Sequence, residues 1–177
     1  LQGPLSTSTL TTTHYAVIGN GDVGLFEQTG GTFGPDGGAA LYLGLNPGGS
    51  GTYLTKGAEL TADRISIAWD GDGYFTQSGG VVTTTNNVVI GCQGTHPYRA
   101  WYKISDTDGD PELSVGGDLL VGVQTLGKYE QNSGGTVEVA GDLEIWKGTT
   151  DPYQSSYFYM GTTADWFSAA SVINHTG

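Results

Sequence analysis

The sequence predicts an all-β fold: a right-handed parallel β-helix, or β-solenoid, of about five to six coils with three short strands per coil. Three observations predict it. Nearly the same phrase recurs at a spacing of roughly 22–29 residues, the mark of a repeat architecture. Apolar positions inside each repeat alternate with period two, so side chains face two sides by turns, as on a strand. Glycine, 31 of 177 residues, falls between the alternating stretches, where corners need unusual dihedrals.

The elements follow in chain order. A partial copy opens with Ala16, Ile18 and Gly19. The first full phrase is Gly24-Leu25-Phe26-Glu27-Gln28-Thr29-Gly30-Gly31-Thr32-Phe33, closed by Leu41, Leu43 and Gly44. A degenerate copy starts at Gly51, carries Tyr53, Leu60 and Ala62, and closes on Ile65, Ile67 and Ala68. The clearest copy runs Gly73-Tyr74-Phe75-Thr76-Gln77-Ser78-Gly79-Gly80-Val81-Val82, then Thr84, Val88, Ile90 and Gly91. The next is legible only from Leu113 and Val115 to Leu119, Val121 and Gly122. The last starts at Gly127-Lys128-Tyr129-Glu130-Gln131 and ends at Val137, Val139, Leu143, Ile145 and Trp146. Each unit gives three strands and three corners, and stacked coils lie about 4.7–4.9 Å apart. Phe26, Tyr53, Phe75 and Tyr129 then form one inward row, and Leu60, Val82, Leu113 and Val137 another. The solenoid is expected over residues 15–146, after a strand-prone extension at 1–14 and before an aromatic loop and cap at 147–177.

Composition narrows the function. The formal net charge is −12, with 6 Lys and Arg. Nucleic-acid backbones and anionic membranes call for a basic surface, so neither is an expected partner. No apolar run approaches the roughly 20 residues of a membrane-spanning helix. The sequence starts at Leu1 and its one Met is Met160, so it reads as a processed chain or a piece of a longer one. The lone Cys92 makes no internal disulfide and reads as a small semi-buried residue rather than a reactive thiol.

The repeated wording, best in Tyr74 to Gly91 and nearly as good in Tyr129 to Ile145, resembles a known class of repeats. Gly-x-aromatic-x-Gln-Ser-Gly-Gly-x-Val closing on Leu-x-Ile-Gly is similar to repeats of bacterial surface proteins. They occur in autotransporter-like passenger regions and in large exported proteins of planctomycetes. The resemblance covers roughly residues 15–146. It implies a parallel β-helix in an extracellular or cell-surface setting, and it implies no activity. The pattern breaks over residues 92–111 and after Trp146.

Those breaks hold the candidate sites. Asp106, Asp108, Asp110 and Glu112 surround Gly109 and form a candidate Ca2+ loop, because calcium collects six to eight oxygens. A solvated acidic turn is the plainer alternative. Tyr98, Trp101, Tyr153, Tyr157, Phe158, Tyr159 and Trp166 stand outside the repeat and suit sugar binding, capping or an assembly interface. The uncharged N-terminal run, with Thr11 and Thr13, is a candidate pairing strand for a neighbouring subunit. The preferred reading is a non-enzymatic extracellular structural protein, a self-assembling subunit of a surface filament or matrix that polymerises end to end. The alternatives are a module of a carbohydrate-binding adhesin and, less favoured, a β-helix polysaccharide lyase or hydrolase built on His96, Arg99 and Lys103.

Overall fold

The computed structural model describes residues 9–10, 14–34, 39–92, 98–146, 156–163 and 166–175. Strands follow one another coil by coil: β1 (Thr9–Leu10), β2 (Tyr15–Asn20), β3 (Val23–Gln28) and β4 (Thr32–Phe33). Then come β5 (Ala40–Asn46), β6 (Ser50–Thr55), β7 (Ala58–Ala62), β8 (Ile65–Ile67), β9 (Asp72–Gln77) and β10 (Gly80–Thr84). The middle holds β11 (Val88–Ile90), β12 (Arg99–Ile104), β13 (Glu112–Val115), β14 (Leu119–Val121), β15 (Leu126–Ser133) and β16 (Thr136–Val139). The chain continues through β17 (Leu143–Ile145), β18 (Tyr157–Thr163), β19 (Trp166–Ser168) and β20 (Val172–Asn174).

Every third strand falls in the same sheet, so the chain winds as a parallel β-solenoid. Among the described residues one sheet has the order β1-β4-β7-β10-β13-β16-β19, a second β2-β5-β8-β11-β14-β17-β20, and a third β3-β6-β9-β12-β15-β18. We call them the valine, isoleucine and aromatic sheets after their inward residues. All named pairings are parallel and register is kept from coil to coil, as in Tyr53↔Phe75, Phe75↔Tyr102 and Tyr102↔Tyr129, except for shifts between Ile18 and Asn20 and between Gln131 and Ser133. No helix of the described residues is long and apolar enough to cross a membrane.

Register turns the inward positions into rows. The aromatic row is Phe26, Tyr53, Phe75, Tyr102, Tyr129 and Phe158, with successive ring centroids 5.3, 4.9, 4.6, 5.9 and 4.5 Å apart. Leu60, Val82, Leu113 and Val137 form the valine row, all essentially inaccessible to solvent. Fully burying each such side chain stabilises the fold by about 1.5–3 kcal/mol.

The rows also run beyond the limits set by wording alone. Tyr102 and Phe158 belong to the aromatic row although their coils lack the repeated phrase. Trp101, expected on a loop, lies within β12, and the sheets continue past Trp146 into β18, β19 and β20. The segment read as an aromatic loop and cap therefore contributes three more paired strands.

A buried polar row lies beside the aromatic one. Gln28, Gln77 and Gln131 point inward at the corner after their strands. Gln77 Nε2 donates to Gly80 O at 3.0 Å and Glu112 O at 2.8 Å, and its Oε1 accepts from the Tyr102 hydroxyl at 2.9 Å. Gln28 repeats the arrangement with Gly31 O, Glu59 O and the Tyr53 hydroxyl. Gln131 binds Gly134 O and Gly135 O, and its Oε1 accepts from Tyr129. Each buried amide is thus matched, which removes a desolvation cost of about 1–3 kcal/mol per group.

The residue after the second inward position is left-handed in five of the seven isoleucine-sheet strands. Gly19, Gly44, Gly91 and Gly122 have φ of 76, 66, 82 and 78°, and Ala68 fills the same corner at φ 59°. A Cβ at Gly91 would lie 2.7 Å from Thr125 O. Gly91→Ala should therefore cost about 2 kcal/mol from strained φ and collision. Ala68→Gly should stay within about 0.5 kcal/mol, because relief of φ strain is offset by lost methyl burial and added chain entropy. Denaturant midpoints of the two variants check this contrast.

Burial raises the hydroxyls of Tyr53, Tyr102 and Tyr129 above the ordinary 10.0, and pushes the Cys92 thiol from 9.0 up to about 12. These groups are protonated in both states below pH 9, so they do not alter stability there. Above it the unfolded chain releases protons that the fold retains, and stability falls by about 1.4 kcal/mol per pH unit for each group. Melting temperature should decline from about pH 9 and more steeply above 10. Tyr102→Phe should lower it at neutral pH yet flatten the alkaline decline.

Candidate functional site

Positions one residue away from the aromatic row face outward, where no core constrains them. Along the aromatic sheet the register aligns Leu25, Thr52, Tyr74, Trp101, Lys128 and Tyr157 in one outward row. The row changes from aliphatic to aromatic as it crosses β9 and β12. Next to it run Arg99 and Leu126, opposite each other in β12 and β15. Between these two rows lies a groove of about 330 Å³, floored by the backbone of Ala100 and Gly127.

Lys128 holds the groove's centre. Its ammonium sits 4.6 Å from the Trp101 ring centroid and 4.7 Å from that of Tyr157. Such cation–π contacts stabilise by about 0.5–1 kcal/mol at exposed sites. Glu130 approaches Lys128 at 3.8 Å and accepts the Tyr157 hydroxyl at 2.7 Å. Asp72, at the start of β9, accepts the backbone N–H of Arg99 at 2.8 Å. Neither carboxylate lines the groove, whereas Arg99 and Lys128 do. The Arg99 guanidinium and the Lys103 ammonium make no ion pair among the described residues. The indole N–H of Trp101 is hidden from solvent without a hydrogen-bond partner, an unsatisfied donor worth about 1–3 kcal/mol to any group that reaches it.

A second aromatic patch lies on the isoleucine sheet, where Tyr15, Tyr42, Leu45 and Trp69 border about 250 Å³. Arg64 closes it from within: it donates to the Tyr42 hydroxyl at 2.8 Å and lies over the Tyr42 and Trp69 rings. Its charge is already engaged, which leaves the patch without a polar anchor.

The sequence candidates separate on this frame. Trp101 and Tyr157 come together through Lys128. Tyr159 is one outward position further along β18 and exposed. Tyr98 precedes β12, its hydroxyl pushed up by burial and then by Asp70 and Asp72. Trp166 is exposed on the outer face of the valine sheet, away from the groove. Thr11, Thr13, Tyr153 and His96 lie outside the described residues. Arg99 and Lys103 are four residues apart on one strand, about 13 Å, and do not converge. Tyr74 went unnoticed as a site residue because it sits inside the best copy of the repeat. Its outward parity was the signal.

The acidic corner is used for stacking. Asp106 Oδ1 accepts the Ser133 hydroxyl of the next coil at 2.6 Å. Asp108 Oδ2 accepts the Ser78 hydroxyl of the previous coil at 2.5 Å, and its N–H donates to Ser78 O at 2.6 Å. Asp110 and Glu112 are exposed. Among the described residues no three His, Cys, Asp or Glu side chains gather in a group fit for a metal ion. Asp106, Asp108, Asp110 and Glu112 are thus not brought together as one ligand set. Cys92 is buried, with weak Sγ contacts to Ile67 O and Val89 O, and burial keeps its thiol protonated and inert.

No protein-family model, curated protein or solved structure matches the chain. The chemistry of the groove and corner therefore rests on their own geometry.

The corner geometry predicts that Asp108→Ala lowers stability by about 1–2 kcal/mol, from the lost charge-assisted bond, with the Ser78 hydroxyl left only its weaker 3.3 Å bond to Thr55 O. Thermal melts should show the same loss with and without a chelator. A chelator-dependent drop in the parent protein, absent from Asp108→Ala, would return calcium to this corner.

Proposed function

We propose that the chain is a structural subunit of an extracellular or cell-surface filament or matrix, built by end-to-end stacking of solenoids. The observation that carries this reading is where apolar surface is exposed. Tyr15, Val23 and Leu25 belong to the first described coil, and Tyr159, Met160, Trp166 and Val172 to the last. All the large apolar side chains exposed among the described residues belong to these two coils.

Inward positions sharpen the reading. The row Ala16, Leu41, Ile65, Val88, Leu119, Leu143 and Val172 is fully buried in its middle, yet Val172 is 64% exposed. Met160 follows Gln131 in the glutamine row and is 39% exposed. Phe26 and Phe158, at the two ends of the aromatic row, are only partly buried. Each row ends in apolar surface that a further coil would cover.

The backbone supports the same contact. Carbonyls of Asp22 and Gln28 accept from Ser50 and Lys56 of the next coil, so by strand parity Leu25 turns its N–H to the edge of β3 that no described strand pairs. Unpaired strand edges are templates for pairing. A head-to-tail contact does not close, so it propagates as a filament. In strand order, β1 and β2 of one copy meet β19 and β20 of another, which continues the valine and isoleucine sheets; the aromatic sheet has one strand fewer among the described residues, so one strand position stays open between β18 and β3.

Sedimentation across concentrations tests this. The full chain should form linear oligomers. Ala16→Asp, which puts a charge on the open core of the first described coil, should block one end. Val172→Asp, which puts a charge on the open core, should block the other. Mixing the two variants should yield dimers and nothing longer, since each retains one working end. A parent chain that stays monomeric at every concentration refutes the filament and leaves a module of a longer adhesin. Turnover of a polysaccharide, lost in Arg99→Ala or Lys103→Ala, would instead favour the enzyme.

A further inference from the structure

We propose that the outward groove of the aromatic sheet binds a carboxylate-bearing glycan, a chain containing uronic acid residues, lying along the solenoid axis. Aromatic rings set the first part of the argument. Tyr74 and Trp101 occupy adjacent strands of one row, and Tyr157 follows two strands beyond Trp101. Strand spacing places these positions about 4.8 Å and 9.6 Å apart, a ladder parallel to the axis. Ring faces of this kind pack against the apolar faces of sugar rings, and a pyranose chain offers such faces repeatedly.

Charge selects the class of glycan. The chain carries 6 Lys and Arg against 18 Asp and Glu. Three of those six cations, Arg99, Lys103 and Lys128, stand on the outward face of two adjacent strands, β12 and β15. Arg99 and Lys128 line the groove, and among the described residues no carboxylate does. The carboxylates that face these cations from outside are Asp72 and Glu130; each already accepts a hydrogen bond, from the Arg99 N–H and the Tyr157 hydroxyl. In a protein of this net charge an anion approaches against the overall field, and a local cationic groove lowers that barrier. A neutral glycan would gain from the rings but would leave Arg99 without an ion pair among the described residues and Lys128 with only its 3.8 Å contact to Glu130.

The inference is independent of end-to-end assembly, because the groove lies on the side of the solenoid. Galacturonic acid oligomers and the matching neutral galactose oligomers serve as probes, with the full chain titrated by calorimetry or tryptophan fluorescence. Uronate oligomers should bind about tenfold or more tightly than neutral ones, and weaken as salt rises. Trp101→Ala and Lys128→Gln should each weaken uronate binding about tenfold, with unchanged circular dichroism. Glu130→Gln should tighten it a few-fold, by freeing Lys128 while keeping an acceptor for Tyr157. Lys56→Gln, at the corner after β6 and paired with Glu27 away from the groove, should change nothing. Equal binding of both oligomers would overturn the charge argument. No binding by the folded parent chain, or binding untouched by Trp101→Ala, would overturn the site.

Discussion

In-register parallel stacking is the constraint on which everything else depends. Each inward position has the equivalent position of the next coil as its neighbour, roughly 4.8 Å away. A residue is therefore tested against its own counterparts, and rows of like residues result. Rings stack on rings from Phe26 to Phe158, and branched aliphatics stack on each other in the isoleucine sheet. A register slip of one residue would reverse inside and outside for a whole strand, so the rows hold the register that creates them.

The glutamines show how the same constraint handles polarity. A buried amide needs partners, and its own corner supplies carbonyls. The remaining oxygen is met by a tyrosine hydroxyl. Phe26 and Phe75 share their coils with Gln28 and Gln77, while Tyr53 and Tyr102, in the following coils, donate back to those glutamines. The coils with Tyr53 and Tyr102 have Thr55 and Ile104 at the glutamine position, so hydroxyl and amide alternate along the stack. Tyr129 and Gln131 instead share a coil and a longer bond of 3.4 Å. The choice between Phe and Tyr in an otherwise uniform row thus follows the hydrogen-bond requirement of the coil beneath.

Repeated wording made the fold legible, and the same reliance on wording hid part of it. The coil of β12 has Ala100 where others have glycine, Ile104 where others have glutamine, and an acidic segment where others have Ser-Gly-Gly. Only its parity survives, in Ala100, Tyr102 and Ile104, all buried. The coil of β18 likewise keeps Phe158 in row while losing the phrase. Core volume and parity are what stacking tests, whereas corner wording is free to change when another group clasps the corner. Asp106 and Asp108 do this through Ser133 and Ser78, which is why an acidic run can replace the glycine turn. Carboxylate spacing left a calcium loop and a solvated acidic turn open there; the partners from adjacent coils are distant in sequence and left no local signal.

Outward rows obey a weaker rule, and function is most readable in them. Nothing in the core requires the row from Leu25 to Tyr157 to change from aliphatic to aromatic and then to place Lys128 between two rings. Each ring there is half in water, and its hydrophobic gain is correspondingly smaller than that of a core residue. Cation–π contacts around Lys128 stabilise by at most about 1 kcal/mol each, which a plainer surface would forgo at little cost to the fold. The open ends differ in kind, because their exposed residues continue rows that stability elsewhere demands. Val172 and Met160 are exposed only for want of the next coil, whereas Trp101 and Lys128 lie where no coil would ever cover them. On the proposed reading, stacking accounts for the first pair and recognition of a ligand along the side of the solenoid for the second.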